Sequence, residues 1–187
     1  MRLQGRRYAV LVAEGIEDLE YWVTVMRLQE EGAEVVSVGS DTHPQKGKNG
    51  LAVRADRAAH EVSVDEIDGV VIPGGWAPDK MRRDPAIVGL VQAANDRGLP
   101  IGIICHGGSV AITAAIVRGR RVTGSLGIKD DLINAGGTWV DEPALRDGNQ
   151  VWGRVVADIP DFERELIALL AEHATGHDPS PRRRTNR

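Results

Sequence analysis

The chain contains 187 residues, of which 42% are hydrophobic and 27% are charged, and its formal net charge at pH 7 is −4. This length and composition are typical of one globular domain, and the acidic balance argues against a nucleic-acid-binding surface. No apolar run approaches the length of a membrane span and no leader pattern precedes the first strand, so we expect a cytoplasmic protein without a membrane partner.

Strands and helices are predicted to alternate along the chain. Short runs of valine, leucine and isoleucine predict buried strands at 8–13, 34–38, 69–72 and 99–104, with minor strands at 51–53, 121–124, 138–140 and 150–152. Helices are predicted at 17–31, 84–97, 108–117 and 161–173, with a helical turn or two at 129–135 and a polar loop at 40–49. We therefore expect an α/β fold with a mostly parallel central sheet and helices on both faces. Residues 1–175 form its single domain, followed by a disordered basic tail at 176–187.

Three strand ends carry the residues most suited to chemistry. They are the acidic turn at 14–20, the Pro-Gly-Gly turn at 73–75, and the pair Cys105-His106. Ligand sites in parallel sheets lie at the carboxyl ends of the strands. We therefore expect these three segments to converge in space.

Cys105 is the only cysteine, so it cannot form an intramolecular disulfide, and it has no second thiolate with which to bind a metal. It lies where a strand turns into a helix, followed by two glycines. A free thiol has a pKa of about 8.5, which a helix N-terminus lowers. This position favours a nucleophile over a buried structural thiol.

The neighbours of Cys105 offer proton transfer and charge stabilisation. His106 can move protons for a bound substrate, although adjacent residues at a turn point apart and it need not contact the sulfur. The turn Gly74-Gly75 exposes backbone, so the N–H groups of Gly75 and His106 are candidate oxyanion donors; an ordinary turn is the open alternative. Glu20 belongs to an acidic cluster that charge complementation at a helix start would explain on its own.

These segments together resemble the PfpI intracellular-protease family of the ThiJ/PfpI superfamily, which has a class I glutamine amidotransferase-like fold. The resemblance covers about 8–170. Its motifs are Glu-Asp-Leu-Glu at 17–20, Pro-Gly-Gly-Trp-Ala-Pro at 73–78, Ile-Cys-His-Gly at 104–107, the run at 127–136, Trp-Val-Asp at 139–141 and Asp-Gly-Asn at 147–149. The resemblance implies a flavodoxin-like three-layer sandwich.

The resemblance also implies roles for individual residues. Cys105 would be the nucleophile, and Glu20 would hold a proton above its sulfur. Asp79 stands where the family usually has a glutamate that reaches His106 from a neighbouring subunit, so a homodimer or higher homo-oligomer is implied. Trp76 would form a pocket wall or a subunit contact. Gly108 replaces the usual proline, and we expect it to loosen the helix start and either to widen the pocket or to move the backbone donors.

The implied activity is thiolate attack on a carbonyl group. Family members are described as peptidases, glutathione-independent glyoxalases and deglycases, so the substrate would be a small carbonyl compound or a short peptide. The main alternative is a non-catalytic cysteine redox sensor in a stress-response or chaperone-like protein. A glutamine amidotransferase is disfavoured because neither His173 nor His177 is followed two residues later by a glutamate. A hydratase for isocyanide-type substrates is a further variant. We expect no metal and no cofactor.

Overall fold

Seven strands form the central sheet of the protein, as seen in a computed structural model that describes residues 1–176. The strands of the chain are β1 (Arg7–Leu11), β2 (Glu34–Gly39), β3 (Gln45–Lys46), β4 (Ala52–Val53), β5 (Arg57–Ala58), β6 (Gly69–Ile72), β7 (Ile101–Ile104), β8 (Arg121–Val122), β9 (Thr138–Trp139), β10 (Ala144–Asp147) and β11 (Gln150–Gly153). The sheet order is β10-β11-β7-β6-β1-β2-β5. Neighbours are parallel except for the antiparallel pair β10 and β11.

Helices cover both faces of this sheet. They are α1 (Asp18–Glu30), α2 (Ala77–Met81), α3 (Pro85–Asp96), α4 (Gly108–Thr113), α5 (Lys129–Asn134) and α6 (Ile159–Gly176). The connections β1-α1-β2 and β6-α3-β7 run in opposite directions along the sheet, so right-handed crossovers place α1 and α3 on opposite faces. Accordingly, α1 packs against α6, and α3 packs against α4. The expected three-layer sandwich is confirmed.

The central strands bring the candidate site residues to one edge. Every residue of β6 and β7 is buried, as expected for parallel strands covered on both faces. Because β1, β6 and β7 are adjacent and parallel, their carboxyl ends lie side by side. The segments that follow these three strands are the three predicted to converge.

The structure differs from the predicted elements in several places. The helix predicted over 108–117 ends at Thr113, because Ala115 adopts a left-handed backbone with φ of 58°. The predicted polar loop at 40–49 contains β3, which pairs with β4 in a separate hairpin. The short elements β5, β10 and α2 were not predicted. No helix within residues 1–176 is long and apolar enough to cross a membrane. The predicted basic tail lies outside the described residues, apart from residue 176.

Candidate active site

Cys105 occupies a strained turn between β7 and α4. Its φ is 58°, a left-handed conformation that is uncommon for residues other than glycine and that often marks a functional site. A short 3₁₀ turn over Cys105–Gly107 leads into α4. A Cβ atom on Gly107 would lie 2.3 Å from the carbonyl oxygen of Ile72, so only glycine lets this turn pack against the end of β6.

Glu20 and Gly74 meet at the cysteine from the two other strand ends. Glu20 lies in the first turn of α1, is fully buried, and accepts a hydrogen bond from the Gly74 N–H at 2.7 Å. A Cβ atom on Gly74 would lie 2.8 Å from Cys105 Cβ, Glu20 Oε2 and the His106 nitrogen alike. The structure therefore brings all three segments together around the thiol.

Ionisation of the Glu20 carboxyl and ionisation of the Cys105 thiol oppose each other. Burial raises the pKa of Glu20 to about 7, against the opposing effect of the Gly74 N–H. Burial, and then the negative charge of Glu20, raise the pKa of Cys105 to about 12, whereas the N–H groups of His106 and Gly75 lower it. A carboxylate and a thiolate this close disfavour each other, so the pair titrates as a unit. When Glu20 holds the proton, its negative charge no longer raises the pKa of the thiol, and burial remains as the main cause that raises it.

Both predicted oxyanion donors lie against the sulfur of Cys105. The backbone N–H groups of His106 and Gly75 donate hydrogen bonds to Cys105 Sγ, and both bonds lower the pKa of the thiol. Gly75 has a φ of 79°, and a Cβ there would lie 2.4 Å from the Glu17 nitrogen, so the turn requires glycine. Two converging N–H groups could equally stabilise an oxygen that becomes negative after attack by the thiolate.

The imidazole of His106 lies nearer the thiol than expected. Its Nδ1 is 3.4 Å from Cys105 Sγ, whereas the sequence left this contact open. Burial lowers the pKa of His106, and the positive charge of Lys48 lowers it further. A neutral imidazole at this position can accept a proton. No carboxylate within 1–176 hydrogen-bonds to this ring in the single chain.

Asp79 lies on the exposed surface of α2, away from the cleft of its own chain. Its carboxylate pairs with the Arg83 guanidinium one turn later. This placement leaves contact with His106 of another subunit as a prediction. Trp76 lines the cleft with 66% of its surface exposed.

The thiol opens into a cleft of about 420 Å³. Its lining residues are Glu17, Lys48, Gly75, Trp76, Cys105, His106, Ser125, Val155, Val156 and Ala157. Gly108 is not among them. A Cβ atom on Gly108 would meet Ile128, Leu132 and Trp152 in the core, which argues against a wider pocket. The other alternative, a shift of the backbone donors, stays a prediction.

Sequence reasoning missed several cleft residues, above all Lys48. This lysine follows β3 in the segment predicted as a polar loop without a role, and its ammonium group binds Glu17. The signal that could have found it is the acidic turn itself, which needs positive or donor partners. Within residues 1–176 no group of three or more His, Cys, Asp or Glu side chains is arranged to hold a metal ion.

Comparisons with known proteins place this geometry in a family. The family model for the DJ-1/PfpI family matches residues 6–169. The chain is 42% identical over 164 residues to a deglycase of Pyrococcus abyssi, covering 88% of this chain and 99% of the relative. It is 34% identical over 169 residues to protein/nucleic acid deglycase 2 of Escherichia coli, covering 89% of this chain and 98% of the relative.

A solved structure agrees with these relatives. It is a two-domain protein of Anabaena variabilis with DJ-1/ThiJ/PfpI-like and ferritin-like domains, and it superposes with a TM-score of 0.87 at 36% identity. The match covers 97% of this chain and 52% of that one, so this chain spans about half of that protein. The two curated relatives carry the names of enzymes, and the chain belongs to the DJ-1/PfpI family.

Proposed function

We propose that this protein is a cysteine-dependent enzyme that converts small 1,2-dicarbonyl compounds to 2-hydroxy acids, with Cys105 as the nucleophile. The observation that carries the proposal is the environment of Cys105. A strained turn holds the thiol at the mouth of a small cleft, with Glu20 above it and two N–H donors aimed at the sulfur. The deglycase names of the relatives support the same chemistry.

The first step is attack by the Cys105 thiolate on the aldehyde carbon while Glu20 holds the proton. A carbon–sulfur bond forms, the carbonyl electron pair moves to oxygen, and that oxygen takes the proton of Glu20 to give a hemithioacetal. The Gly75 and His106 N–H groups stabilise the transient negative oxygen. Transfer to this oxygen uses the raised pKa of Glu20, which keeps the carboxyl protonated near neutral pH.

The second step is an isomerisation by His106. The neutral imidazole removes the proton from the former aldehyde carbon, and the electrons form an enediolate with the neighbouring carbonyl. The imidazolium returns the proton to that neighbouring carbon, while the hydroxyl proton of the first carbon passes to the second oxygen. The product is a thioester, which water hydrolyses to the 2-hydroxy acid and free Cys105. One carbon is oxidised and the other reduced, so the reaction needs no external oxidant.

The cleft suits small substrates. A volume of about 420 Å³ is at the lower end of ligand pockets, and Val155, Val156 and Ala157 provide an apolar wall for a methyl group. A dicarbonyl adduct on a protein amine or thiol is in equilibrium with the free amine or thiol and the free dicarbonyl. Consumption of the released dicarbonyl by the same two steps would therefore reverse the glycation. Short peptides remain the competing substrate class, because a thiolate can attack an amide carbonyl as well.

The test measures methylglyoxal consumption without glutathione in the wild type and in Cys105→Ser. We expect conversion to lactate by the wild type only, with circular dichroism showing that both proteins are folded. Activity retained in Cys105→Ser would remove the nucleophile assignment. If the wild type converts no methylglyoxal while iodoacetamide still alkylates Cys105 rapidly, the dicarbonyl proposal is wrong, and a fluorogenic peptide panel tests the peptidase alternative.

A redox-sensing role is the second candidate, favoured by the same donors. Two N–H groups and a protonated Glu20 could hydrogen-bond the oxygens of a cysteine sulfinate, and Cys105 is only partly buried. Peroxide would oxidise the thiolate to sulfenate and then sulfinate, releasing one water at each step. The sensor would be favoured if a low dose of peroxide adds two oxygen atoms to Cys105 and the protein shows no turnover of methylglyoxal or peptides. Overoxidation to sulfonate without a stable sulfinate would count against it.

A further inference from the structure

A hairpin distant in sequence from the cysteine is fixed against the acidic turn. We call residues 45–53 the lysine hairpin. The Asp18 carboxylate accepts the backbone N–H groups of Asn49 at 2.6 Å and Leu51 at 2.9 Å. The main chain adds two bonds of 2.8 Å, from Gly15 N–H to the Lys46 oxygen and from Lys48 N–H to the Ile16 oxygen. These bonds hold the hairpin beside the start of α1.

Glu17 fixes the lysine side chain within this arrangement. Its buried carboxylate accepts Lys48 Nζ at 2.9 Å through one oxygen and the Asn49 side-chain amide at 3.0 Å through the other. A Cβ atom on Gly47 would lie 2.2 Å from Asp18 Oδ1, so the hairpin approaches α1 as closely as glycine allows. Lys48 is therefore held in place before any ligand arrives.

Lys48 brings a positive charge into the cleft beside the thiol. Among the lining residues in the described part of the chain, it alone carries a full positive charge, because His106 is neutral near pH 7. The bond to Glu17 raises the pKa of Lys48 first, and the negative charges of Cys105 and Glu20 raise it further. An ammonium group has three N–H donors, and Glu17 takes one of them, which leaves donors for a ligand.

We propose that Lys48 is a specificity-determining residue that binds the second oxygen of the substrate, on the carbon next to the one that Cys105 attacks. The inference rests on the proposed dicarbonyl chemistry, in which negative charge develops on that oxygen in the enediolate. A cation fixed in a partly buried cleft stabilises such charge more than water does. The cleft therefore favours carbonyl compounds with an ionised or ionising oxygen next to the attacked carbon over simple aldehydes.

The test compares two alkylating reagents of similar size at Cys105, anionic iodoacetate and neutral iodoacetamide. The ratio of their rate constants reports anion recognition at the thiol, because a change in thiolate content alters both rates equally. We expect Lys48→Met to lower the ratio about threefold to tenfold and Lys48→Arg to retain most of it. Lys46→Met is the matched control, since this lysine belongs to the same hairpin but does not line the cleft, and its ratio should equal that of the wild type.

A ratio in Lys48→Met within twofold of the wild type would overturn the proposal. If Lys48→Met does not fold, the test is the iodoacetate-to-iodoacetamide ratio of the wild type at rising salt concentration. Salt should lower this ratio because it screens the charge of Lys48. A ratio that does not change with salt would also overturn the proposal. Alkylation does not require turnover. If the ratio depends on Lys48 but the protein consumes no methylglyoxal, the anion subsite at Lys48 is supported and only the dicarbonyl reaction is rejected.

Discussion

Gly74 donates its backbone N–H to Glu20 Oε2, and this bond joins the start of α1 to the turn that follows β6. The other oxygen, Oε1, is buried and has no nitrogen or oxygen partner in residues 1–176. Cys105 lies against the same carboxyl group. The bond to Gly74 thus holds the carboxyl group of Glu20 beside the thiol.

Below about pH 7, where Glu20 keeps its proton, Glu20→Gln should slow the alkylation of Cys105 and so move the lower part of its pH profile up by about one unit. A protonated carboxyl donates a charge-assisted hydrogen bond to a thiolate, and an amide N–H is a weaker donor. The measurement is the rate of iodoacetamide alkylation across pH. Glu14→Gln is the matched control, because Glu14 belongs to the same acidic turn but pairs with Lys80 on the surface. An unchanged profile in Glu20→Gln would remove this acid from the site.

Gly74→Ala should abolish most turnover because the new methyl group would collide with Cys105, Glu20 and the His106 backbone. Overpacking of this kind costs about 1–3 kcal/mol of stability, and we expect kcat/KM to fall at least about a hundredfold. Gly89→Ala is the control, since a methyl group at that position in α3 meets nothing within 4 Å. It should keep full activity and gain up to about 1 kcal/mol. Normal kinetics in Gly74→Ala would contradict the packing argument.

Asp79→Asn should lower kcat/KM by about tenfold if the carboxylate orients His106 across a subunit contact. Within residues 1–176 the Asp79 carboxylate bonds only to Arg83, on an exposed surface, so unfolding should not account for the loss. Arg83→Gln removes that local partner and should retain activity. If a second subunit completes the site in this way, dilution of the wild type should also lower its specific activity. Full activity of Asp79→Asn at every concentration would leave a Cys-His pair as the catalytic unit.

Much of the sheet was predictable because its central strands are buried on both faces. The strand at 69–72 has the predicted bounds, since glycine and proline flank a fully apolar run. The edge strand β10 escaped prediction because its four residues include Arg146 and Asp147 and pair only with β11. Helix α2 was missed because five residues containing Pro78 carry no helical periodicity.

The site was predictable where chemistry lies next to a strand end, and not where it depends on contacts distant in sequence. The strand-to-helix turn marks Cys105, and the neighbouring glycines mark the close approach of backbone. Lys48 has no such local mark, because Asp18 and Glu17 place it from another segment of the chain. The packing around Gly108 could not be predicted from the sequence either. The side chain of Ile128, which directly precedes α5, fills the space beside this glycine.

Glu163→Gln should change how stability depends on pH. Glu163 lies in α6, accepts a short hydrogen bond from the Thr24 hydroxyl of α1, and has its Oε2 buried without a partner within the described chain. Burial raises its pKa from 4.5 to about 7, against the opposing effect of Thr24. The native state therefore holds a proton that the unfolded state releases at lower pH.

The direction in which stability changes with pH follows from this difference in pKa between the native and unfolded states. The contribution of Glu163 is fully present below about pH 4.5 and is lost as the pH rises through about 7, a loss of about 3 kcal/mol. Glutamine stays neutral, so the free energy of unfolding of Glu163→Gln should rise relative to the wild type between about pH 5 and pH 8. Urea unfolding at several pH values measures this difference in the free energy of unfolding. The titration of Glu20 does not contribute to the difference, because both proteins contain this residue. Glu172→Gln, on the exposed side of α6, is the control. A gap that stays constant with pH would show that Glu163 is not a neutral acid in the native protein.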